Sequence, residues 1–324
     1  MTSDKPKDFA GFWPRVGAWF IDAIVLAVVG CAIGWAFMDY VSPLGANGRA
    51  IGLGIGILYH GILGSSLGGG RTIGKRVLGL KVTGLNGKPL NLFAALWRAL
   101  FLMGPAMLNG WYFKVADPIL VQVLGVVAIT AVFGIGLAQV YLILFGGPAR
   151  RLVHDLVSGS VVVRAETREF PAPKMGVHAV VAGVLIAAAF GLALTGPSML
   201  KAWMPSLATM VAPEQRVVDA VEKLPGIGDV SVQDNTMTVY SDGKQTTTRT
   251  LVVTATTGQW PADTNPLLAR IGAETVRAYR FAPGQRLTVT IVHGFDLGIA
   301  SYRNSRSAPY DPGCATADVR CVQK

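Results

Sequence analysis

The distribution of apolar residues divides the chain into a hydrophobic N-terminal part and a mixed C-terminal part. Helices that cross the ~30 Å hydrocarbon core of a bilayer need about 20 apolar residues. Four runs are of this kind: 16–38, 50–68, 119–146 and 176–197. A fifth run, 99–113, contains Pro105 and Asn109 and fits either a short span or a re-entrant segment. The pattern predicts a polytopic α-helical membrane domain.

Two basic segments set the expected topology. Residues 71–98 carry six Lys and Arg and no acidic residue, and residues 148–175 carry five against three acidic residues. Basic segments beside membrane helices stay in the cytoplasm, so an even number of crossings must separate these two, and 99–115 must cross. We expect five spans, with a cytoplasmic N-terminus and an extracytoplasmic C-terminus. The alternative has four spans, with 99–115 in the membrane interface.

Residues 201–324 have the periodicities of a water-soluble domain. We expect a helix (EQRVVDAVEKL), two strands with a turn at Asp234-Asn235, a third strand (RTLVVTATTG), a helix (NPLLARIGAETVRAY) and a last strand (RLTVTIVHGFDLG). This order predicts a small α+β domain of ferredoxin-like type, with a poorly ordered tail from about Arg303. The predicted domains are the membrane domain 1–175, an additional transmembrane helix and linker at 176–200, and the extracytoplasmic domain 201–324.

The composition is typical of a basic membrane protein. Hydrophobic residues make up 51% of the chain and charged residues 15%, against about 25% charged residues in soluble domains, and the mean hydropathy is +0.45. The net charge of +10 comes mainly from the hydrophobic part, where basic residues contact anionic lipid. No basic stretch is interleaved with aromatic residues, which argues against nucleic acid, so the lipid bilayer of the cell (inner) membrane is the expected partner.

Two short motifs resemble catalytic or nucleotide sites but fail in detail. GGRTIGK, from Gly69 to Lys75, matches most of a phosphate-binding loop, but Arg76 stands where Ser or Thr binds magnesium, and a membrane helix precedes the motif. A turn at the lipid headgroups is the favoured interpretation. His154 and Asp155 are neighbours on a helix and are not expected to face each other. With no Cys/His cluster in the sequence, we expect no enzyme activity, no cofactor and no metal site.

Cysteine usage gives one further expectation. Cys314 and Cys321 lie near the C-terminus, whereas Cys31 lies inside the first apolar run and is expected to pack there. If the C-terminal domain is extracytoplasmic, it meets oxidising conditions in which disulfides persist. We therefore predict a disulfide between Cys314 and Cys321, with a modest effect on stability because it closes a small loop.

A carboxylate inside the first span is the most unusual feature of the sequence. Asp22 has only apolar neighbours in the chain, and such a residue at mid-membrane costs ~2.5–3.5 kcal/mol on insertion scales. Its role is either a structural polar contact or an ion or proton site. Arg15 lies seven residues earlier, ~10 Å along the same helix face, and Arg98 and Asp155 share its cytoplasmic end. We expect Arg15 to pair with Asp155, which leaves Asp22 to donors, water or a bound cation.

Three motifs, in this order, resemble the RDD family of bacterial membrane proteins, which is named for one arginine and two aspartates. They are FAGFWPRVGAWFIDAIVL, GRTIGKRVLGLKVTGLNGKPLNLFAALWRAL and RRLVHDLVSGSVVV, and the resemblance covers residues 9–165. By this resemblance Arg15 is the arginine, Asp22 and Asp155 are the aspartates, and Arg98 lies on the family's arginine-bearing helix. Ser160 stands where the family often has Thr.

The resemblance implies a transporter of an unknown ligand, since some family members are described as sodium/proton antiporters. In this hypothesis the protein is an oligomer and Asp22 binds a proton or monovalent cation. The alternative is a scaffold or regulator that presents its external domain to other membrane proteins. The small number of intramembrane acids favours the scaffold, whereas the family description favours transport.

Overall fold

The structure, a computed structural model, describes residues 9–111, 117–147, 149–167, 176–204, 207–241 and 244–322. The chain forms two compact units. The first consists of Met1–Ala32, Ala46–Pro197 and Leu297–Ala300, and the second of Ile33–Gly45, Ser198–Asp296 and Ser301–Lys324.

The helices, in chain order, are α1 (Phe12–Ala36), α2 (Met38–Val41), α3 (Arg49–Gly64), α4 (Ile73–Val77), α5 (Leu92–Leu108), α6 (Pro118–Ile129), α7 (Gly136–Phe145), α8 (Val153–Val157), α9 (Gly176–Trp203), α10 (Leu207–Val221) and α11 (Asn265–Ala278). A π-helical turn, Thr130–Ile135, joins α6 to α7. The strands are β1 (Leu80–Gly84), β2 (Ser160–Arg164), β3 (Ile227–Ser241), β4 (Lys244–Thr257), β5 (Arg286–Asp296) and β6 (Ser301–Tyr310).

Three helices among the described residues are long and apolar enough to cross a bilayer: Phe12–Ala36, Pro118–Phe145 and Gly176–Leu200. Their large apolar side chains point outward, as lipid-facing residues do, and Trp19 and Phe20 of α1 are more than half exposed. These three candidate spans support a helical membrane protein. The helices α3 and α5 have 16 and 17 residues, fewer than the about 20 of a typical span. The count of five spans stays a prediction.

The first unit also contains a two-stranded sheet. The turn at Asn86-Gly87 forms, with the Gly84 amide donating to the Lys88 carbonyl at 2.8 Å and Gly87 at a positive φ of 76°. The strand β1 does not pair across this turn but with the distant β2, in antiparallel register with Val82 opposite Val162. Both strands are largely buried, so burial of their apolar side chains determines the pairing more strongly than the local turn.

The second unit contains a four-stranded sheet in the order β3-β4-β5-β6. The pairs β3–β4 and β5–β6 are antiparallel, and β4–β5 are parallel and joined through α11. Residues from the helices and the central strands form its core, including Val217, Leu251, Ile271, Val289 and Ile291. The helices and strands follow the order αββαββ, which differs from the βαββαβ order of ferredoxin-like domains, so that likeness is not confirmed.

The predicted turn at Asp234-Asn235 is wrong. The strand β3 runs through both residues, with Asp234 opposite Leu251. The Asp234 carboxylate instead accepts hydrogen bonds from Arg249 at 3.0 Å and from the Tyr279 hydroxyl at 2.8 Å. These partners, Arg249 on β4 and Tyr279 at the end of α11, lower the pKa of Asp234, chiefly through the Arg249 hydrogen bond. They satisfy a side chain that would otherwise favour a turn.

The C-terminal tail is ordered from Arg303 to Val322, contrary to the sequence-based expectation. The strand β6 pairs with β5 over its length, and it escaped prediction because most of its side chains are polar and exposed, with Ala308 and Tyr310 alone buried. Beyond it the chain folds back, and the Asp311 amide donates to the Cys321 carbonyl at 3.0 Å. The sulfurs of Cys314 and Cys321 are bonded.

Candidate ligand and ion site

Asp22 is held by donors from two other elements of the first unit. It is 1% exposed, and its Oδ1 accepts hydrogen bonds from the Tyr59 hydroxyl at 2.7 Å and the Gly74 amide at 2.8 Å. Its Oδ2 accepts from the Thr72 hydroxyl at 2.6 Å and lies 4.0 Å from the Lys75 ammonium. Asp22 thus has three hydrogen-bond donors and one counter-charge.

The segment that resembles a phosphate-binding loop provides most of these donors. Thr72 caps the N-terminus of α4 by accepting from the Lys75 amide, and the free amide of Gly74 then donates to Asp22, a favourable place for a carboxylate. A Cβ at Gly74 would overlap the backbone oxygen of Ala18, so only glycine allows α4 to approach α1 this closely. The expectation that this segment forms a turn at the lipid headgroups is wrong for Lys75, because the Lys75 side chain is buried.

A second buried carboxylate, that of Asp155 on α8, faces two arginines. Oδ1 accepts from Arg98 Nε at 3.0 Å and Nη2 at 2.7 Å and from the Ser160 hydroxyl at 3.2 Å. Oδ2 accepts from the Leu152 amide at 3.2 Å and lies 3.6 Å from Arg15 Nη1. Burial alone would raise the pKa of Asp155, but the charges facing it, Arg98 foremost, hold that pKa well below its usual range.

Arg15 is bound mainly to backbone oxygens. Its guanidinium donates to the carbonyls of Ala10, Arg150, Ala149 and Val162 at 2.6–3.1 Å. Arginine presents five N–H donors in a rigid planar fork, and this arrangement uses them to tie α1 to the segment that follows α7. Arg15 thus fastens two parts of the fold and leaves Arg98 as the closer partner of Asp155.

The model of the RDD family matches residues 9–159. We call this matched segment the RDD domain. Comparison with curated proteins and with solved structures gives no significant match. Three of the four residues that the sequence suggested, Arg15, Arg98 and Asp155, come together in one cluster of the RDD domain, and Asp22 forms a second cluster with Lys75.

Several elements of the RDD domain recur at a spacing of 80 residues, which divides it into two similar halves. Three pairs begin 80 residues apart: α1 at Phe12 and α5 at Leu92, α4 at Ile73 and α8 at Val153, β1 at Leu80 and β2 at Ser160. The sequence Gly-Ile-Gly at 54–56 recurs at 134–136. Val82 pairs with Val162, its own equivalent, as residues on a two-fold axis do. Each half therefore consists of a long helix, a second apolar helix, a five-residue helix and a strand.

The two halves carry opposite charges at equivalent places. Lys75 is the third residue of α4 and Asp155 is the third residue of α8. Each has its counter-charge on the first helix of its own half, Asp22 on α1 and Arg98 on α5. Neither pairing crosses between the halves, so each half balances this pair of charges by itself.

A cavity of about 510 Å³ lies between these groups in the RDD domain. Its charged lining consists of Arg15, Asp22, Lys75, Arg98 and Asp155. Apolar side chains form much of the remaining wall, among them Trp19, Leu102, Val140 and Ile143. The volume is within the ~300–1,000 Å³ of typical ligand pockets, so the cavity has room for a small organic molecule.

Two histidines also line the cavity. His154 Nδ1 lies 2.8 Å from the Gln139 side-chain oxygen, and burial lowers the pKa of His154 to about 3, so the ring is neutral. Contrary to expectation, His154 Nε2 lies 3.7 Å from Asp155. His60 on α3 is 5% exposed, and its buried Nδ1 has no hydrogen-bond partner among the described residues.

Sequence reasoning missed four residues of this site: Tyr59, His60, Thr72 and Lys75. Tyr59 and His60 are ordinary in a membrane helix taken alone, and Thr72 and Lys75 looked like an exposed turn. The spacing of 80 residues provides a signal for two of them, because Tyr59 is equivalent to Gln139 and Lys75 to Asp155, and these four side chains all make polar contacts around the cavity. Among the described residues no group of His, Cys, Asp or Glu could hold a metal ion.

Proposed function

We propose that the RDD domain is a membrane transporter in which the charged cavity holds the transported solute and the Asp22–Lys75 pair carries a coupling proton. The observation that supports this most strongly is the cavity itself, which lies among membrane helices and is lined by five charged side chains and two histidines. Ionisable residues inside a helical bundle are costly and typically mark substrate or ion pathways. The internal duplication adds support, since many transporter folds consist of two repeats with the binding site at their interface.

The occupied oxygens of Asp22 favour a proton over a metal cation as the coupling ion. Three hydrogen bonds already reach this carboxylate, and a bound sodium ion would have to displace donors and compete with the Lys75 ammonium. Burial lowers the pKa of Lys75 to about 8, so Lys75 gains and loses its proton near neutral pH. A proton shared between Lys75 and Asp22 needs no further ligand.

The duplication also supports the five-span topology. If the halves are equivalent, α5 crosses the membrane as α1 does, and α3 crosses as the long helix of α6 and α7 does. With two spans in each half, both basic segments lie in the cytoplasm. The helix α9 then crosses the membrane and places residues 207–322, the C-terminal unit, outside. Single cysteines at 90, 165 and 260, labelled in intact cells by an impermeant reagent, test this. Labelling at 260 alone is expected, and labelling at 165 would overturn the model.

The transport proposal is tested with purified protein in liposomes that contain a pH-sensitive dye. Gradients of NaCl, KCl or sodium benzenesulfonate are imposed, and the internal pH is followed against protein-free liposomes. At least one gradient is expected to drive proton movement. The variants Asp22→Asn and Lys75→Gln should abolish it, because neither new side chain titrates. Arg76→Gln, which removes an exposed charge from the same helix, serves as the matched control.

Two results would overturn the transport proposal. One is the absence of proton movement with all three gradients, and the other is normal coupling in a well-folded Asp22→Asn variant. The second result would leave Asp22 as a structural anchor of α4.

The alternative function is a scaffold that presents the C-terminal unit to other membrane proteins. It is favoured by one observation: residues 207–322 contain a sheet and a hydrophobic core of their own and lie outside the RDD match. The scaffold predicts that cross-linking in intact membranes captures a defined membrane partner through residues 207–322, with no proton flux in liposomes. Absence of such a partner together with measured flux would exclude it.

A further inference from the structure

The charges that line the cavity of the RDD domain do not cancel. Arg15, Lys75 and Arg98 provide three positive charges, and Asp22 and Asp155 provide two negative charges. Burial keeps His154 neutral, with a pKa of about 3. The charged lining therefore carries a net charge of +1 at neutral pH. A buried excess charge is unfavourable unless it is paired, so the cavity favours an occupant of opposite sign.

The hydrogen-bonding groups that remain unused in the cavity wall also favour an anion, because they are donors. Both oxygens of Asp22 and both of Asp155 already accept hydrogen bonds from the protein. The Arg98 guanidinium uses Nε and Nη2 on Asp155 and Ser160, and its Nη1 makes no hydrogen bond to a described residue. The Lys75 ammonium has three donors and makes one hydrogen bond, to Thr72. The charged groups thus offer donors to a ligand and no free carboxylate oxygen.

His60 provides an independent observation. It lines the same cavity, it is more than nine-tenths buried, and its Nδ1 has no partner among the described residues. A buried polar atom without a partner is rare in folded proteins and calls for an explanation such as an absent water or ligand. A ligand in contact with Lys75 and Arg98 would have His60 in the same wall.

The size and the remaining wall indicate more than an inorganic ion. The cavity volume of about 510 Å³ exceeds what a lone oxyanion fills, and Trp19, Leu102, Val140 and Ile143 offer apolar surface beside the charged end. Such a site matches a molecule with an anionic group at one end and an apolar body at the other.

From this juxtaposition of Lys75, Arg98 and His60 we infer that the cavity binds an amphipathic organic anion, through a carboxylate, sulfonate or phosphate group. The claim that this anion is the transported solute rests on the proposed function. The claim that the cavity binds such an anion does not depend on transport. The same chemistry is available from a soluble organic anion and from the headgroup of an anionic lipid, and the experiment below separates the two.

The test uses the full chain in nanodiscs of phosphatidylcholine and isothermal titration calorimetry. The probes are benzenesulfonate, inorganic phosphate and phenyltrimethylammonium, the last a cation of similar size. Benzenesulfonate is expected to bind, phosphate to bind more weakly, and the cation to show no binding. Lys75→Gln should weaken benzenesulfonate binding about tenfold or more, because a charge-assisted contact is lost. Arg76→Gln removes an equal charge outside the cavity and should change the affinity less than about twofold.

A second variant keeps the inference testable if Lys75→Gln fails to fold. His60→Leu keeps every charge and a similar volume in α3, and it should weaken benzenesulfonate binding several-fold while leaving the thermal unfolding midpoint near that of the wild type.

Nanodiscs that contain phosphatidylglycerol separate the two sources of the anionic group. If the natural occupant is a lipid headgroup, phosphatidylglycerol competes and lowers the apparent affinity for benzenesulfonate. If the natural occupant is a soluble anion, that affinity is unchanged. Both outcomes support an anion site.

The inference is overturned if neither anion binds, if phenyltrimethylammonium binds as tightly as benzenesulfonate, or if Lys75→Gln leaves the affinity unchanged. These results are distinct from failure of the transport proposal. If the anion binds but no flux occurs in liposomes, the transport proposal is rejected and the anion site is kept. If a cation gradient drives proton flux but no anion binds, the anion site is rejected and the transport proposal is kept.

Discussion

The two buried carboxylates of the RDD domain are predicted to differ sharply in their response to neutralisation. We compare Asp155→Asn with Asp22→Asn, which are isosteric changes that remove one negative charge each. Asp155 faces Arg98 at 2.7 Å and Arg15 at 3.6 Å, and arginine does not release its proton in proteins. Asp22 faces one ammonium, Lys75, at 4.0 Å, and lysine neutralises readily when buried.

The magnitudes follow from what each variant leaves unpaired. Asp155→Asn leaves two buried guanidinium charges without a counter-ion, and removal of one partner of a buried ion pair costs about 3–5 kcal/mol. In Asp22→Asn the new oxygen still accepts from Tyr59 and Gly74, and the new amide donates to the Thr72 hydroxyl. The remaining cost is that of one weakened polar contact, about 1–3 kcal/mol, because Lys75 can lose its proton.

The measurement is the free energy of unfolding of the purified protein in mixed micelles, followed by circular dichroism under identical conditions for each variant. Glu274→Gln, which removes an acidic group from a surface ion pair with Arg277, is the control, and it should change stability by less than about 1 kcal/mol. The reasoning is refuted if Asp22→Asn destabilises as much as Asp155→Asn. That result would mean that Lys75 keeps its charge without Asp22.

Three further predictions concern other parts of the molecule. Gly74→Ala should destabilise the RDD domain by about 1–3 kcal/mol, because the new methyl overlaps the backbone of α1; thermal unfolding should be compared with Gly54→Ala, where no atom lies within 4 Å. Reduction of the bond between Cys314 and Cys321 should destabilise the C-terminal unit by about 2 kcal/mol, as expected for a short loop; unfolding with and without reductant measures this, and free thiols in unreduced protein from the native membrane would contradict the bond. The free energy of unfolding should rise by up to ~3 kcal/mol between pH 8 and pH 10.5, because the folded state releases the Lys75 proton at a pKa of about 8 while the unfolded chain holds it to 10.5; the slope should be absent in Lys75→Met.

Sequence reasoning selected charged residues that the structure places around one cavity, but not their partners. Asp22 was recognisable because a carboxylate among apolar residues is costly, and Arg15, Arg98 and Asp155 came from the family motifs. Lys75 was not recognisable, since in the sequence it belongs to a run of basic residues that fits a headgroup contact equally well. Its burial depends on Gly74, which lets α4 approach α1, and that approach is a tertiary event with no local signal.

The errors in the C-terminal unit have a similar origin. Asp234 is a residue that favours turns, yet β3 continues through it because Arg249 and Tyr279 reach it from other elements. The strand β6 is too polar to predict, because only Ala308 and Tyr310 face the core. In both cases long-range contacts provide the stabilisation that local propensity lacks.

The duplication explains where the excess positive charge of the cavity originates. Each half balances one pair, Asp22 with Lys75 and Arg98 with Asp155, so two exact halves would leave no net charge. Arg15 belongs to neither of these pairs, and the matching position in the second half, Ala95, carries no charge. Its guanidinium is bound by uncharged carbonyls and shares Asp155 with Arg98, so its charge is not cancelled. The arginine that fastens the two halves is thus also the residue that makes the space between them attractive to an anion.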